Sequence, residues 1–300
     1  MIKIITDSVA SLPDDMLEGK NVEVISLFIN RDGVEYADAT MDLDAFYSEI
    51  YDMVDDIPTS SQPSQATLLK SFESCAQAGE EVLGVFISSG LSGTYDGAVR
   101  AARSVKERHP HFEYALVDSL SCGFDEAPAV LDAIDAAEAG KTLEECAQAA
   151  TNAVASSRFL FTPESLTFLQ KGGRIGGAAA LLGNLIHISP ILTVIDGCAT
   201  TSTKVHTHTK ALEKIVELFK GDVDEYGLKR AVVHYIGDKT SAVTWAKDVI
   251  EPYLGRAVRV LPVSPVIGMH VGPAVGIAYE CLQPLRGKIT VSSQSLICTQ

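Results

Sequence analysis

The sequence predicts an α/β protein: an N-terminal parallel sheet with helices on both faces, followed by an α+β unit. Three observations predict it. β-branched, apolar runs at residues 2–6, 22–29, 82–87 and 114–117 alternate with helical patterns, the arrangement of a parallel sheet. The runs at 82–87 and 114–117 are apolar throughout, as strands covered on both faces must be. The character then changes after Ser157, so the α/β unit is assigned to 1–157 and the α+β unit to 158–300. With 300 residues and 46% hydrophobic content, the chain can fill two cores.

The elements follow in order. After the strand at 2–6 and the apolar run at 22–29, residues 43–54 carry Phe46, Tyr47, Ile50 and Val54 on one helical face. A hydroxyl-rich loop, Thr59-Ser60-Ser61-Gln62-Pro63-Ser64, opens the helix at 66–78, with Leu68, Leu69, Phe72 and Cys75 inward. A second, Ser88-Ser89-Gly90-Leu91-Ser92-Gly93-Thr94, joins the strand at 82–87 to the helix at 95–106. The strand at 114–117 precedes an Ala-rich helix at 128–139. Thr142-Leu143-Glu144-Glu145 is a capping box that starts a helix running to about Ser156.

Beyond the boundary, 158–162 reads as a strand and 164–170 as a short helix. The glycine-rich Lys171-Gly172-Gly173-Arg174-Ile175-Gly176-Gly177 precedes an apolar helix at 178–185. Strands at 191–195 and 200–205, a helix at 211–219, and strands at 230–236 and 258–263 around a helix at 240–253 come next. Residues 264–273, rich in Gly and Pro, read as a rigid loop displaying His270, a good position for a ligand contact.

Composition excludes several functions. A net charge of −15 argues against nucleic acid, which needs a basic face, and against an anionic membrane surface. The six cysteines form no CxxC pair and read as reduced thiols of a cytoplasmic protein. The N-terminal residues reach Asp7 at once and lack the pattern of a signal peptide. The most apolar region, 178–195, is interrupted by Gly183, Asn184, His187 and Pro190 and is too short to span a bilayer.

The two hydroxyl-rich segments dominate the functional reading. Small hydroxyl donors, flexible glycines and free helix N-termini make a seat for an anionic oxygen group. Asp7-Ser8, Ser88-Ser89 and Asp118-Ser119 lie at carboxyl ends of strands, the rim where such sheets bind ligands. Arg174 can hold an anion bidentately. Gly90-Leu91-Ser92-Gly93 lacks the spacing of a hydrolase nucleophile elbow. His206-Thr207-His208 offers two imidazoles, but no third ligand has diagnostic spacing, so no metal is expected.

Six motifs in one order resemble the DegV family, whose fatty-acid-binding proteins serve bacterial fatty acid kinase. They are Thr6-Asp7-Ser8, Ser61-Gln62-Pro63-Ser64, the run Ser88 to Tyr95, Val117-Asp118-Ser119, Lys171-Gly172-Gly173-Arg174-Ile175 and His270-Val271-Gly272-Pro273. The resemblance covers about residues 1–280. It implies a non-catalytic, two-domain protein without a cofactor, which binds a long-chain fatty acid such as palmitate and presents its carboxylate to a partner kinase. By that resemblance the head group is held by Ser60, Ser61, Ser89, Ser92 and His270. Thr59 and Gly93 lie in the same two segments, and Arg174 stands near the carboxylate or the kinase contact. The family often has Thr at the place of Ser60. It usually has Arg at the place of His206 and often a base at that of His208, so here an imidazole stands where the family has a permanent charge. This departure bears on the kinase partnership more than on lipid binding. Residues 284–300 extend past the usual family end.

A sixteen-carbon tail offers on the order of 11 kcal/mol of gross burial energy, ample after association costs. Residues 178–188, Phe159, Phe161, Phe168 and Ile267 are candidates for an apolar tunnel. Two other readings stay open: a serine hydrolase or acyl-transfer enzyme using Ser89 or Ser92 with His270, and a binding module for another small organic acid.

Overall fold

The computed structural model describes residues 1–182, 188–285 and 297–299. In chain order the strands are β1 (Ile2–Asp7), β2 (Val22–Ile25), β3 (Phe28–Arg31), β4 (Val34–Ala37), β5 (Thr59–Ser61), β6 (Glu81–Phe86), β7 (Tyr114–Asp118), β8 (Ser157–Pro163), β9 (Ser189–Ile195), β10 (Cys198–Val205), β11 (Leu228–Ile236), β12 (Arg259–Pro262), β13 (Ala274–Cys281) and β14 (Ile297–Thr299). The first sheet has the order β14-β7-β6-β1-β2, with β1, β2, β6 and β7 parallel and β14 antiparallel to β7. The second has the order β10-β9-β8-β13-β11-β12 and is antiparallel except for β11 and β12. A small antiparallel sheet, β4-β3-β5, carries the first hydroxyl-rich segment on its edge.

Both faces of the first sheet are covered, and the strands show how. Ile4, Leu83, Val85 and Val117 meet Val130, Ala133, Ala147 and Ala150 of the helices Ala127–Glu138 and Leu143–Ser156. Ile5, Val82, Phe86 and Leu116 meet Leu68, Phe72, Ala98 and Ala102 of the helices Gln65–Ala78 and Thr94–Arg108. Successive residues serve opposite cores, so each strand reads as an unbroken apolar run. The capping box forms as expected: Thr142 Oγ1 accepts the Glu145 N–H at 3.2 Å, and the Glu145 carboxylate accepts the Thr142 N–H at 2.9 Å.

Several expectations are corrected. Residues 22–29 are not one strand. Ser26 Oγ captures the Ala39 N–H and Ser8 Oγ captures the Leu27 N–H, each at 3.0 Å, so side chains take ladder positions and the chain passes from β2 into β3 of another sheet. The helix expected over 43–54 stops at Glu49 and is followed by a separate turn, Asp52–Val54. The apolar helix expected at 178–185 is a 3₁₀ stretch, Gly176–Leu181, and residues 183–187 lie outside the described residues. The helix expected over 240–253 widens into a π turn, Ala246–Ile250, just before Pro252, whose ring an α-helical turn would not accept. Residues 264–273 are not a loop: Pro265 occupies the first turn of the helix Pro265–Val271, and Gly272, at φ 74°, ends it. Strand β14 pairs with β7 in the first sheet, whereas the sequence reading placed everything after residue 157 in the second unit.

Buried polar contacts join the two large sheets. Glu280 on β13 is 2% exposed and accepts from Lys229 and Arg230 of β11 at 2.9 and 2.7 Å. Arg230 also reaches Asp132 of the helix Ala127–Glu138 at 2.6 Å. On β11, His234 Nδ1 lies 2.9 Å from the Leu261 carbonyl, while Nε2 lies 2.9 Å from the Phe124 N–H in the turn after β7. A carbonyl only accepts and an amide N–H only donates, so the imidazole proton sits on Nδ1.

Burial pushes His234 down to about 4 from its ordinary 6.5. Between those values the unfolded chain binds the extra proton, so this group costs native stability as pH falls from 6.5 towards 4. Replacing His234 by Asn keeps a donor towards Leu261 and strands the Phe124 N–H. The variant is expected to lose about 1–3 kcal/mol near neutrality and then to show a shallower fall of Tm on acidification than the parent. Calorimetry across that window checks both, and an equal slope contradicts the bridge.

Candidate functional site

The site forms where β5, the start of the helix Thr94–Arg108, the segment after the helix Thr167–Lys171, and the helix Pro265–Val271 converge. β5 pairs with β3, placing Ser60 opposite Ile29. Ser60 Oγ lies 2.9 Å from His270 Nε2. His270 is 8% exposed and packs over Gly172, where a Cβ would stand 2.5 Å from Nδ1. The glycine-rich stretch is therefore needed at that position to admit the imidazole. His270 Nδ1 has no hydrogen-bond partner among the described residues. Burial, assisted by the nearby Arg174 charge, pushes His270 down to about 4, so it is neutral at physiological pH.

Beneath this pair lies a cavity of about 320 Å³, within the usual range for small-molecule sites. Its polar end is built by Ser60, Ser61, Gln62, Ser92, Gly93, Arg174 and His270. The rest is apolar: Leu27, Ile87, Leu91, Cys122, Phe159, Phe161, Leu169, Val194, Ala199, Val266, Ile267 and Val271. A second, polar chamber of about 560 Å³ shares Ser60, Arg174 and His270 and adds Thr59, Lys171, Asp55 and Asp56. The Ser60–His270 pair thus stands at the junction of a greasy chamber and a wet one.

Each residue expected from the sequence has a definite place. Ser61 lines the cavity, with its hydroxyl 3.4 Å from both Glu35 and Asn30. Ser92 Oγ lies 2.9 Å from Thr94 Oγ1, and Gly93 caps the helix Thr94–Arg108 without a side-chain hydrogen bond. A Cβ on Gly93 would meet Gln62 Oε1 at 2.2 Å, so the two segments touch there. Arg174 is exposed and donates to the carbonyls of Gly172 and Leu91 at 2.8 and 3.4 Å. Thr59 lines only the polar chamber.

Ser89 stands apart. It is exposed, its N–H points at the Asp118 carboxylate at 3.3 Å, and it lines neither chamber. The strand-end carboxylates likewise hold loops together. Asp7 accepts the N–H groups of Ile87 and Val9 at 2.9 and 3.1 Å, and burial pushes it up to about 7. Ser88 is buried and donates to the Gly197 carbonyl at 2.9 Å, tying the second hydroxyl-rich segment to the turn between β9 and β10.

Of the residues expected along the tunnel, Phe159, Phe161 and Ile267 line the cavity. Phe168 and Ala178 do not; both are buried in the core, where Phe168 packs against Gly272. His270 reaches the site from a buried helix rather than from an exposed loop. Gln62 was missed, although it sits inside a motif singled out from the sequence. Leu27, Cys122, Val194 and Ala199 carried no signal that separates a cavity wall from ordinary core. No helix among the described residues is long and apolar enough to cross a membrane.

Comparisons with known proteins place this geometry. A family model described as "Uncharacterised protein, DegV family" matches residues 1–281. The DegV domain-containing protein CPE0304 of Clostridium perfringens is 39% identical over 279 residues, which cover 93% of this chain and 98% of the relative. Among solved structures, a fatty-acid-binding DegV family protein from Thermus thermophilus has a TM-score of 0.84 at 29% identity, covering 94% of this chain and 99% of that one. A stearic acid-binding protein from Eubacterium ventriosum has a TM-score of 0.83 at 26% identity, with 94% and 99% covered. Family model, relatives and fold agree over the segments that build both chambers, and the chain belongs to the DegV family.

Proposed function

We propose that this protein binds one long-chain fatty acid, its tail in the apolar cavity and its carboxylate at the junction of the two chambers. The observation that carries this reading is the Ser60–His270 pair at the polar end of an otherwise apolar cavity. The relatives from Thermus thermophilus and Eubacterium ventriosum, which bind a fatty acid and stearic acid, support it.

The chemistry is consistent at both ends. A buried carboxylate needs donors, because an unpaired charge in an apolar site is costly. A neutral His270 in its Nε2–H tautomer donates to Ser60 Oγ and leaves the Ser60 proton free for the acid. Such a chain polarises both hydrogen bonds. Ser92, the Gln62 amide, the N–H groups at the start of the helix Thr94–Arg108 and the Arg174 charge stand around the same end. Ser61 and Gly93 shape it. The finer part of the proposal is that the protein is not itself the enzyme: it presents the head group through the polar chamber to a cytoplasmic kinase that forms an acyl phosphate. Residues Lys171 and Arg174 flank that path.

A second reading has one observation in its favour. A serine hydroxyl 2.9 Å from an imidazole is also the geometry of a nucleophile and its base. Against it, His270 Nδ1 has no orienting partner among the described residues, and an imidazole held near 4 is a weak base at neutral pH.

Gently purified protein is expected to carry a fatty acid of palmitate to stearate length in native mass spectrometry, and consistent absence of such a mass contradicts the proposal. Ser60→Ala should weaken fatty-acid binding by about tenfold or more, the worth of a hydrogen bond to a charged group, and should lower Tm, because His270 Nε2 loses its partner. Ser89→Ala should leave affinity unchanged; titration of both variants with a fluorescent acid separates the two serines. A fluorophosphonate probe is expected to leave the protein unlabelled, whereas an adduct lost in Ser60→Ala would establish the hydrolase reading.

A further inference from the structure

We propose that Phe159 is the end wall of the acyl cavity and sets the longest tail the protein holds; this rests on the fatty-acid reading above. The direction of β8 locates the wall. Its Pro163 end leads into the helix Thr167–Lys171, which brings Leu169 and Gly172 to the mouth beside His270. Phe161 and Phe159 point from β8 into the cavity, and Phe159 lies two residues, about 7 Å, further from that mouth.

The Phe159 ring does not lie flat over its own strand. It stacks on Phe161, with centroids 4.8 Å apart and an interplanar angle of 26°, and meets His234 edge-on at 5.6 Å and 68°. β8 and β11 are separated by β13, so their backbones are about 10 Å apart. The rings meet because the β13 residues beneath them are small: Gly276 opposite Phe161 and His234, and Ala278 opposite Phe159 and Val232. A Cβ on Gly276 would stand 2.6 Å from that of Phe161. From the facing side, the turn after Cys122 closes on His234: a Cβ on Gly123 would be 3.8 Å from Nε2, and the Phe124 N–H holds the imidazole. Phe159 is therefore backed by a ring fixed at both nitrogens, and a growing alkyl chain meets a rigid wall rather than a side chain free to move aside.

The test compares the parent protein with Phe159→Ala, the milder Phe159→Leu, and Phe161→Leu, whose side chain lies before the wall. Each is titrated with saturated acids from dodecanoic to docosanoic, with Tm recorded for each protein. In the parent, affinity should climb about fourfold per added methylene and then stop climbing at one length. Phe159→Ala should move that break at least two carbons longer and Phe159→Leu should move it in the same direction, while Phe161→Leu should change affinity without moving it. A break that stays put in the folded Phe159 variants overturns the wall and leaves the fatty-acid reading intact. Failure of the parent to bind any acid overturns the fatty-acid reading, and the wall with it.

Discussion

His270 Nε2 and Ser60 Oγ are 2.9 Å apart, and this contact ties a helix of the second unit to an edge strand beside the first. It also separates two environments. Below it, aromatic and aliphatic side chains exclude water; above it, Lys171, Asp55 and Asp56 line an open chamber. The pair serves there because it is polar and uncharged. A charged group at that depth would need a partner to offset its desolvation, whereas a neutral imidazole and a hydroxyl are buried at lower cost, even with His270 Nδ1 left without a partner among the described residues. Burial keeps His270 neutral, and Arg174 keeps positive charge close by without burying it.

The remainder of the fold holds that junction still. Cavity walls come from both units, with Leu27, Ile87 and Cys122 on one side and Phe159, Phe161, Val194 and Ala199 on the other. A relative shift of the units would deform the cavity. Satisfied polar contacts oppose such a shift: His234 to the Phe124 N–H, Ser88 to the Gly197 carbonyl, and Asp38 to Ser264 and the Val266 N–H. Each is buried, so breaking it strands a donor or an acceptor away from water, at a cost of about 1–3 kcal/mol. Burial raises Glu280 above the usual carboxylate range against the pull of Arg230.

Much of this was legible in the chain because it is local. A capping box, a continuous apolar strand or a glycine-rich turn is a matter of a few neighbouring residues. Thr142 with Glu145 and the runs at 82–87 and 114–117 fold as their local chemistry dictates, whereas Thr59–Ser61, which reads as part of a loop, is drawn into strand β5 by pairing with β3. Errors arose where one local signal has two meanings. Pro265 and Gly272 suggested a loop, yet proline is equally at home in the first turn of a helix and glycine just past its end. Residues 22–29 looked like one strand because hydrophobicity does not record that Ser8 and Ser26 capture backbone groups in mid-run.

By itself, then, the sequence determined the fold class, most helix starts and two of the segments, with their serines, that line the candidate site. Tertiary structure alone decided which serine faces the histidine. Ser60 and His270 are 210 positions apart, and Ser89, equally conspicuous in the chain, is turned towards Asp118. Tertiary structure also decided that Phe159 and Phe161 line a cavity while Phe168 fills the core. All three are buried aromatics with the same transfer energy. Whether such a ring borders empty space or another side chain depends on what packs across from it, and that is set by the meeting of the two units rather than by any stretch of sequence.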